Sequence, residues 1–480
     1  MYVFLTYGLF LYIGAVALYR VFFHPLRQYP GPLLAAMTYG YTAYFNVVKV
    51  GGLVYQLDKL HKIYGPVVRI GPNTASPSWI MFECHSNYRL AAYHDIYTYG
   101  STLVKDREFY HGMVPYAAES SVGFVDPVLA KNRRGSMAPM FSRRAVVAIE
   151  NLVQQKVDKL LTLLRENYNS PESSVDMGAA YRSLTMDVIM DYCFAGSVNT
   201  LDAPNFAHPF NQSVADSFRI FWDVQHFFSL IPLFIVNNLP RYMDLKHVFE
   251  SRVDNILRDT SILESVDHET IFRHLLESDS DSSSREALIQ EAFVLMAAEP
   301  EIHKRLFEEL CEAWPNPDEP MSYVALEKLP YLNAFVKETL RFSVGIIHPL
   351  PRVVGPATPA IGDLKLPVGT AVGMSSIFLH MNPEVFPDPH VFNPDRWLAE
   401  DTSKMSLDLA PFCKGPRICP GLNLAYCELY LTLGNIFRKL DLKIQPTEDM
   451  IDEYRIEHTM NYFVVHWRKG YQAYVDKIHK

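Results

Sequence analysis

Cys419 is the residue of this chain that is best placed to do chemistry. It lies in a short loop rich in glycine and proline, Pro411 to Gly421. Gly415 and Gly421 allow backbone angles and close approaches that a side chain would block, and the prolines restrict φ. A helix is predicted from Leu422 to Leu440, directly after the loop. Its dipole is expected to favour the thiolate form of Cys419.

A thiolate in such a place is either a nucleophile or a metal ligand, and its neighbours favour ligation. A nucleophile would need a His-Asp pair nearby, and zinc or an iron–sulfur cluster would need a cysteine at C-x-x-C spacing. Neither pattern accompanies Cys419. A single thiolate with Arg417 two residues before it and Phe412 seven before it fits one axial ligand of haem iron. A buried structural cysteine is the alternative.

The loop resembles the haem loop of the cytochrome P450 family. The resemblance is carried by the spacing Phe412-x-x-Gly415-x-Arg417-x-Cys419-x-Gly421. It implies that Cys419 is the catalytic iron ligand and that the other four residues bind the haem. It also implies a mainly α fold with a small β-rich subdomain.

A second set of residues resembles the structural lock of the same family. Glu338 and Arg341 are three residues apart on a predicted helix, so they share a face. Such a pair alone is usually a surface ion pair of little energetic value. The resemblance implies that Arg396, in the stretch Phe392 to Trp397, joins them in a buried network that steadies the thiol loop.

Two further arginines match positions that hold haem propionates in this family. Arg352 lies in a Pro-Arg-Val segment, and Arg134 follows from the family's Trp/His-x-x-x-Arg spacing. Ala130 occupies the first position of that motif, which implies that one propionate contact is lost. The basic stretch from Leu129 to Ile149 has two other interpretations: a solvated helix face, or a docking surface for an acidic electron donor.

The resemblance leads us to expect a long distal helix, and part of the sequence for that helix is missing. Glu286 to Ala298 predicts an apolar helix that would span only about 20 Å, whereas the corresponding family helix is about twice as long. That helix carries an acidic residue and a threonine that deliver protons for oxygen activation. After Ala298 there is no threonine until Thr339. Either a coding segment was skipped in the gene model or by splicing, or the chain is divergent and inactive or needs no relay.

Composition and length restrict the class of protein. A chain of 480 residues that is 49% hydrophobic can bury a large core. The net charge of −9 gives no reason to expect a nucleic-acid partner. Six widely spaced cysteines suit a reducing compartment better than a disulfide framework.

The N-terminal residues predict a membrane anchor. Residues 1–23 are apolar apart from Arg20, and roughly 20 apolar residues span a bilayer. Basic residues after the span predict a single pass with the remaining chain in the cytosol; a buried helix is the alternative. Residues 24–32 are predicted to form a proline-rich hinge similar to that of microsomal members of the family. This resemblance implies that the anchor lies in the endoplasmic reticulum membrane. Residues 33–480 would form the haem domain.

The resemblance implies a specific activity. The expected protein is a haem-thiolate monooxygenase that hydroxylates or epoxidises a lipophilic secondary metabolite, with a terpenoid as the first candidate and a polyketide as the second. It would use haem b, O₂ and electrons from NADPH through an NADPH-cytochrome reductase. The chain looks most similar to fungal secondary-metabolism members such as the trichodiene oxygenase group. A haem-binding chain that is inactive, or an isomerase or dehydratase, is the alternative.

A dense apolar stretch bears on the substrate. Phe218 to Leu239 is rich in aromatic and aliphatic residues, and Pro232 prevents it from forming one straight helix. It could line a substrate entrance and dip into the membrane surface, or simply form core helices. The first interpretation predicts a bulky, lipophilic substrate.

Overall fold

Helices make up most of the computed structural model. The structure describes residues 2–72, 79–82, 87–98, 100–113, 118–219, 221–227, 240–264, 266, 268–273, 304–342, 345–358, 360–362, 364–444, 459–462, 464–467 and 472–479. The α-helices in this part of the chain are Tyr2–Phe22, Leu33–Met37, Gly40–Ala43, Leu53–Tyr64, Asn87–Tyr97, Arg107–Met113, Pro127–Met137, Arg143–Ala148, Glu150–Asn167, Met177–Phe194, Pro209–Arg219, Phe221–Phe227, Pro240–Arg258, Lys304–Ala313, Tyr323–Leu326, Pro330–Phe342, Ser376–His380, Ser403–Asp408 and Leu422–Lys439.

Apolar residues at helical spacing explain the helices that pack in the core. In Leu53–Tyr64 the buried side chains include Leu53, Leu57 and Leu60, which share one face. The helix ends at Gly65, whose φ of 85° favours glycine. The bounds predicted for this helix are confirmed. Helix Leu422–Lys439 is buried on all sides from Tyr430 to Arg438, and it packs against Glu150–Asn167, Lys304–Ala313 and Pro330–Phe342.

The strands are short and form small sheets. They are β1 (Val67–Arg69), β2 (Trp79–Phe82), β3 (Val104–Lys105), β4 (Val175–Asp176), β5 (Arg352–Val353), β6 (Ala371–Gly373), β7 (Leu440–Ile444), β8 (Thr459–Tyr462), β9 (Val464–Trp467) and β10 (Gln472–Ile478). A five-stranded sheet has the order β1-β2-β6-β5-β3, a three-stranded sheet has the order β4-β10-β7, and β8 pairs with β9. The β2–β6 pairing is parallel, whereas the other pairings are antiparallel.

The predicted hinge is packed against the body of the protein. Leu26 is fully buried there. Arg69 donates one hydrogen bond from its side chain to the carbonyl of Arg20, at 3.0 Å, and another from its backbone to Pro30, at 2.8 Å. Arg20 in turn donates to the carbonyl of Met37, at 2.5 Å. The stiffness of this segment therefore comes from long-range contacts as well as from its prolines.

The helix that precedes this segment is long and apolar enough to cross a membrane. Its candidate span is Phe4–Phe22, 19 residues, and none of it is buried inside the protein. An exposed apolar helix of this length fits a membrane anchor better than the alternative of a buried core helix.

One of the other predicted segments is interrupted. The basic stretch from Leu129 to Ile149 is two helices rather than one, because Pro139 lies between them. Of the apolar stretch from Phe218 to Leu239, residues 218–219 and 221–227 are helical, and residues 220 and 228–239 lie outside the described part. The predicted helix from Glu286 to Ala298, with the point where the segment is missing, also lies outside the described residues.

Candidate functional site

Backbone hydrogen bonds between the two ends of the thiol loop hold its conformation. The amide of Cys419 donates to the carbonyl of Phe412 at 2.9 Å, and that of Ile418 donates to Gly415 at 3.1 Å. Between them Gly415–Arg417 forms one turn of 3₁₀ helix. Helix Leu422–Lys439 begins three residues after Cys419, as the sequence predicts. The loop therefore presents the thiol from a defined backbone conformation.

Gly415 is required by both its backbone angle and its surroundings. Its φ is 69°, and a Cβ there would lie 2.0 Å from the carbonyl oxygen of Tyr97. No side chain fits against backbone at that distance. Gly421 differs from expectation, because its φ is −77° and the nearest atom to an added Cβ is the Cys419 sulfur, at 3.9 Å. The protein itself does not demand glycine at Gly421.

The Cys419 thiol is more basic than the sequence predicts. Burial raises the pKa of Cys419 above its ordinary value. A hydrogen bond from the Gly421 backbone, at the helix start, and the charge of Arg134 both lower it, but burial outweighs them. The helix start therefore favours the thiolate, as the sequence predicts, but burial has the larger and opposite effect in the chain without a bound metal ion. A bound metal ion deprotonates a coordinating thiol by itself.

Four cations converge beside the loop. We call Lys105, Arg134, Arg352 and Arg417 the cation cluster. Burial, followed by repulsion from the other three members, lowers the pKa of Lys105 well below its ordinary value. Burial, followed by the charges of Arg352 and Arg134, lowers the pKa of Arg417 to about 10, with Tyr110 acting in the opposite direction. The sequence predicted the three arginines as neighbours of one ligand, and the structure brings them together.

The hydrogen bonds of the cluster go mainly to neutral oxygens. Arg352 donates to the hydroxyl of Tyr110 at 2.6 Å and to the carbonyls of Leu350 and Pro351 at 3.2 and 3.1 Å. Lys105 donates to the carbonyl of Val122 at 2.5 Å. Arg134 donates to the carbonyl of Ile418. Neutral oxygens accept hydrogen bonds but do not cancel charge, so the cluster retains a strong positive field.

One buried guanidinium nitrogen of the cluster has N–H groups that donate to no acceptor among the described residues. Nη1 of Arg417 is buried without a hydrogen-bond partner among the described residues. Buried guanidinium groups are normally satisfied, and carboxylates are their strongest partners. The residues therefore fit a ligand that brings anionic groups to the cluster and a metal ion to Cys419, as haem does with its propionates and iron.

The predicted lock is assembled and buried. The carboxylate of Glu338 accepts from Arg341 Nη2 at 2.8 Å and Nε at 2.9 Å, and from Arg396 Nε at 3.1 Å. The backbone of Asn393 and the indole of Trp397 each add a hydrogen bond of 2.9 Å. Burial raises the pKa of Glu338, but Arg341 above all outweighs it, so the pKa is lowered overall. Glu338 is therefore a paired carboxylate in the interior.

Three residues at this site were missed by sequence reasoning. Lys105 and Tyr110 come from a segment that has no motif, and Tyr110 also places its ring 4.2 Å from the Lys105 ammonium. His380 ends a short helix and contacts both Arg341 and Ala410, the residue before the thiol loop. Lys105 is buried in a short strand. Burial cannot be read from the sequence, so no sequence signal pointed to these residues.

An aromatic cluster adjoins the cations through Tyr110. Phe109, Tyr110, Phe221 and Trp222 are buried together. The ring of His348 stacks on Phe109, with centroids 5.4 Å apart. Phe221 and Trp222 belong to the apolar stretch that the sequence associates with a lipophilic substrate.

Comparison with known proteins gives a consistent result. The family model described as Cytochrome P450 matches residues 37–291 and 286–466. The two matched ranges overlap at residues 286–291, shortly before Ala298.

Curated relatives are similar over most of their length. The chain is 31% identical to Cytochrome P450 monooxygenase oblB of Cochliobolus heterostrophus, covering 92% of this chain and 91% of that protein. It is 30% identical to Cytochrome P450 monooxygenase aflU of Aspergillus parasiticus, covering 95% and 94%. Tryptophan 6-hydroxylase fscE of Fusarium equiseti is 29% identical, with 90% and 89% covered.

Proposed function

The chain belongs to the cytochrome P450 family, and from this premise we propose that it is a membrane-anchored haem-thiolate monooxygenase acting on a lipophilic secondary metabolite. The family implies O₂, a substrate, a haem-thiolate centre and a redox partner. When bound, haem supplies the iron at which one oxygen atom of O₂ is activated for insertion into the substrate. The observation that carries the proposal is the cation cluster beside Cys419, the cysteine at the ligand position of the haem-loop spacing.

Different residues of the chain bind different parts of the haem. Cys419 ligates the iron through its sulfur and donates electron density to it. Arg134, Arg352 and Arg417, with Lys105, bind the propionates by charge-assisted hydrogen bonds. Phe412, Gly415 and Gly421 form the loop around the sulfur. Glu338, Arg341 and Arg396 steady the chain that leads into the loop.

The substrate is proposed to be apolar. The aromatic cluster of Phe109, Tyr110, Phe221 and Trp222 next to the cations supports this, because such side chains bind ligands mainly by burying apolar surface. A terpenoid is our first candidate, by resemblance to the trichodiene oxygenase group, and a polyketide is the second. Since one relative is named a tryptophan hydroxylase, an indole belongs in any substrate panel.

The cellular setting is proposed from the N-terminus. Residues 1–23 would span the endoplasmic reticulum membrane once, residues 24–32 would connect the anchor to the body, and the domain 33–480 would face the cytosol. Haem b would be the cofactor, and an NADPH-cytochrome reductase in the same membrane would supply electrons. The exposed apolar helix Tyr2–Phe22 supports the membrane part of this proposal.

The central test replaces one sulfur at a time. We expect the reduced wild-type protein to give a thiolate-type Soret band with CO, and Cys419→Ala to lose it. Cys413→Ser, which changes a second cysteine of the same loop, is the control that keeps the band. A thiolate-type band in Cys419→Ala would contradict the assignment of the ligand.

A second candidate function has one observation in its favour. The sequence contains no threonine between Ala298 and Thr339, where the family's proton-delivering residues are expected. The alignment with oblB runs over 497 positions, more than the 480 residues of this chain, so it contains gaps in this sequence. A chain without the relay would bind haem without oxygenating, or would isomerise or dehydrate an oxygenated substrate.

Two experiments separate these functions. Turnover with O₂, NADPH and reductase supports a monooxygenase, whereas turnover of a hydroperoxide without them supports the second candidate. Sequencing the transcript across Ala298 and Glu299 tests whether a segment is missing. An in-frame segment with an acidic residue followed by threonine would restore the ordinary route of proton delivery, worth about 10²–10⁴-fold in rate.

A further inference from the structure

His380 joins the buried lock to the thiol loop. It is fully buried, and its Nδ1 lies 3.0 Å from the carbonyl oxygen of Arg341. The backbone N–H of Ala410 donates to its Nε2 at 2.9 Å. A carbonyl oxygen only accepts hydrogen bonds, so Nδ1 carries the ring proton and Nε2 is the acceptor. Both ring nitrogens are therefore engaged in the neutral tautomer.

The contacts continue from each side of the ring. Arg341 donates to the carbonyl of His380 at 2.9 Å, so the lock holds the backbone as well as the side chain of the histidine. On the other side, the carbonyl of Ala410 accepts from the amide of Cys413 at 3.2 Å. The next residue back, Phe412, accepts from the amide of Cys419 at 2.9 Å. A short path thus runs from Arg341 to the amide of Cys419, in which these hydrogen bonds are joined by the backbone of Ala410 and by the peptide bond between Phe412 and Cys413.

We propose that His380 is a positioning residue that sets where the loop presents the Cys419 sulfur, by holding Arg341 and Ala410 at a constant separation. The inference rests on the proposed haem-thiolate function. Burial, and next the charge of Arg341, lower the pKa of His380 to about 3, which keeps the ring neutral at physiological pH. A neutral ring is what the two contacts require, because protonation would remove the acceptor for Ala410.

Two substitutions separate the two contacts. In His380→Asn the amide group takes the place of Nδ1 and can still donate to Arg341, but it does not reach Ala410. In His380→Gln the side-chain oxygen takes the place of Nε2 and can still accept from Ala410. If His380 only fills buried space, both variants lose stability and neither changes the thiolate fraction of folded, haem-loaded protein.

The first measurement is the ratio of thiolate-type to other Soret bands per haem in the reduced CO complex. We expect His380→Gln to stay close to wild type and His380→Asn to fall about tenfold, because the Ala410 donor is left without its buried partner. The midpoint potential of the haem should shift in His380→Asn and not in His380→Gln. His390→Asn, at an exposed histidine, is the control. Equal ratios and potentials in the Asn and Gln variants would overturn the proposal.

The second measurement does not need haem. In the haem-free protein, deuterium exchange of the amides from Ala410 to Cys419 should be about tenfold faster in His380→Asn than in His380→Gln. Equal exchange in the two variants counts against the proposal. A wild-type protein without a thiolate-type band would contradict the proposed function, while this exchange result would still decide the role of His380.

A third variant changes the other partner of the contact between His380 and Ala410. Ala410→Pro removes the N–H that His380 accepts and leaves the histidine unchanged. Leu409, with φ −71° and ψ 108°, already has the extended backbone that a following proline requires. Should both His380 variants fail to fold, a lowered thiolate ratio in Ala410→Pro supports the proposal. A wild-type ratio in that variant refutes it.

Discussion

The guanidinium of Arg134 donates a hydrogen bond to the carbonyl oxygen of Ile418, the residue directly before Cys419. Helix Pro127–Met137 therefore contacts the backbone of the thiol loop one residue away from the sulfur. The same positive charge lowers the pKa of Cys419, although burial keeps that pKa above its ordinary value. One arginine thus acts on both the position and the protonation of the thiol.

Removing this charge should make the thiol harder to ionise. We expect Arg134→Gln to raise the pKa of Cys419, so that alkylation of Cys419 by iodoacetamide in the haem-free protein slows about three- to tenfold at neutral pH. The pH profile of alkylation, followed by peptide mapping, gives the midpoint. Arg144→Gln, at an exposed arginine of the neighbouring helix, is the matched control. An unchanged midpoint in Arg134→Gln would show that the charge does not act on the sulfur.

A methyl group at Gly415 should disrupt the loop. Gly415→Ala adds a Cβ 2.0 Å from the Tyr97 carbonyl oxygen, at a φ that disfavours alanine. We expect the free energy of unfolding to fall by at least about 1–3 kcal/mol from the backbone strain alone, with further loss from the contact. Denaturant unfolding of the haem-free protein measures it.

A second glycine provides the control. Gly135 lies on the exposed side of helix Pro127–Met137, and a Cβ there meets no atom within 4 Å. Gly135→Ala should therefore stabilise the protein by about 0.5–1 kcal/mol, because alanine favours helix. Equal effects of the two substitutions would contradict the steric role of Gly415.

The stability that the Glu338 carboxylate contributes through the lock should decrease at low pH. The folded protein lowers the pKa of Glu338 from 4.5, so the carboxylate contributes stability above pH 4.5 and loses it as pH falls through the folded pKa. We expect Glu338→Gln to lower the free energy of unfolding by about 3–5 kcal/mol near neutral pH, since two buried arginine contacts lose their charge partner. The difference from wild type should shrink as the pH falls below 4.5.

The measurement is denaturant unfolding at a series of pH values. Glu400→Gln, at an exposed carboxylate, removes the same charge and should follow the wild-type curve within about 0.5 kcal/mol. A difference between Glu338→Gln and wild type that did not change with pH would mean that the ionised carboxylate is not what stabilises the lock.

Lys105 should destabilise the haem-free protein but help to retain haem in the loaded protein. Burial and repulsion lower its pKa from 10.5, so in the haem-free protein it costs stability increasingly as pH falls below 10.5. Lys105→Met should therefore stabilise the haem-free protein and flatten this pH dependence. In the loaded protein it removes a propionate partner, and haem should dissociate about ten- to hundredfold faster.

Haem transfer to an acceptor protein and unfolding of the haem-free form measure the two effects of Lys105. Lys404→Met, at an exposed lysine, should change neither. If Lys105→Met lost stability in the haem-free form and kept its haem as firmly as wild type, Lys105 would be a structural residue and not part of the ligand site.

The sequence by itself determined the features that depend on short-range order. Helix formation follows from local spacing and from hydrogen bonds four residues apart, so the predicted bounds of Leu53–Tyr64 agree with the structure and those of Leu422–Lys439 differ by one residue. The three-residue spacing of Glu338 and Arg341 placed both on one helix face. The spacing within the loop around Cys419 was enough to identify the family.

The tertiary structure decided what these residues meet. Lys105, Tyr110 and His380 reach the site from segments without a motif, because packing of distant segments has no local signature. The helix start lowers the pKa of Cys419 as the sequence predicts, but burial, which the sequence does not show, raises that pKa by more. Electrostatics and buried hydrogen bonds depend on neighbours in space, and those neighbours exist only after the chain has folded.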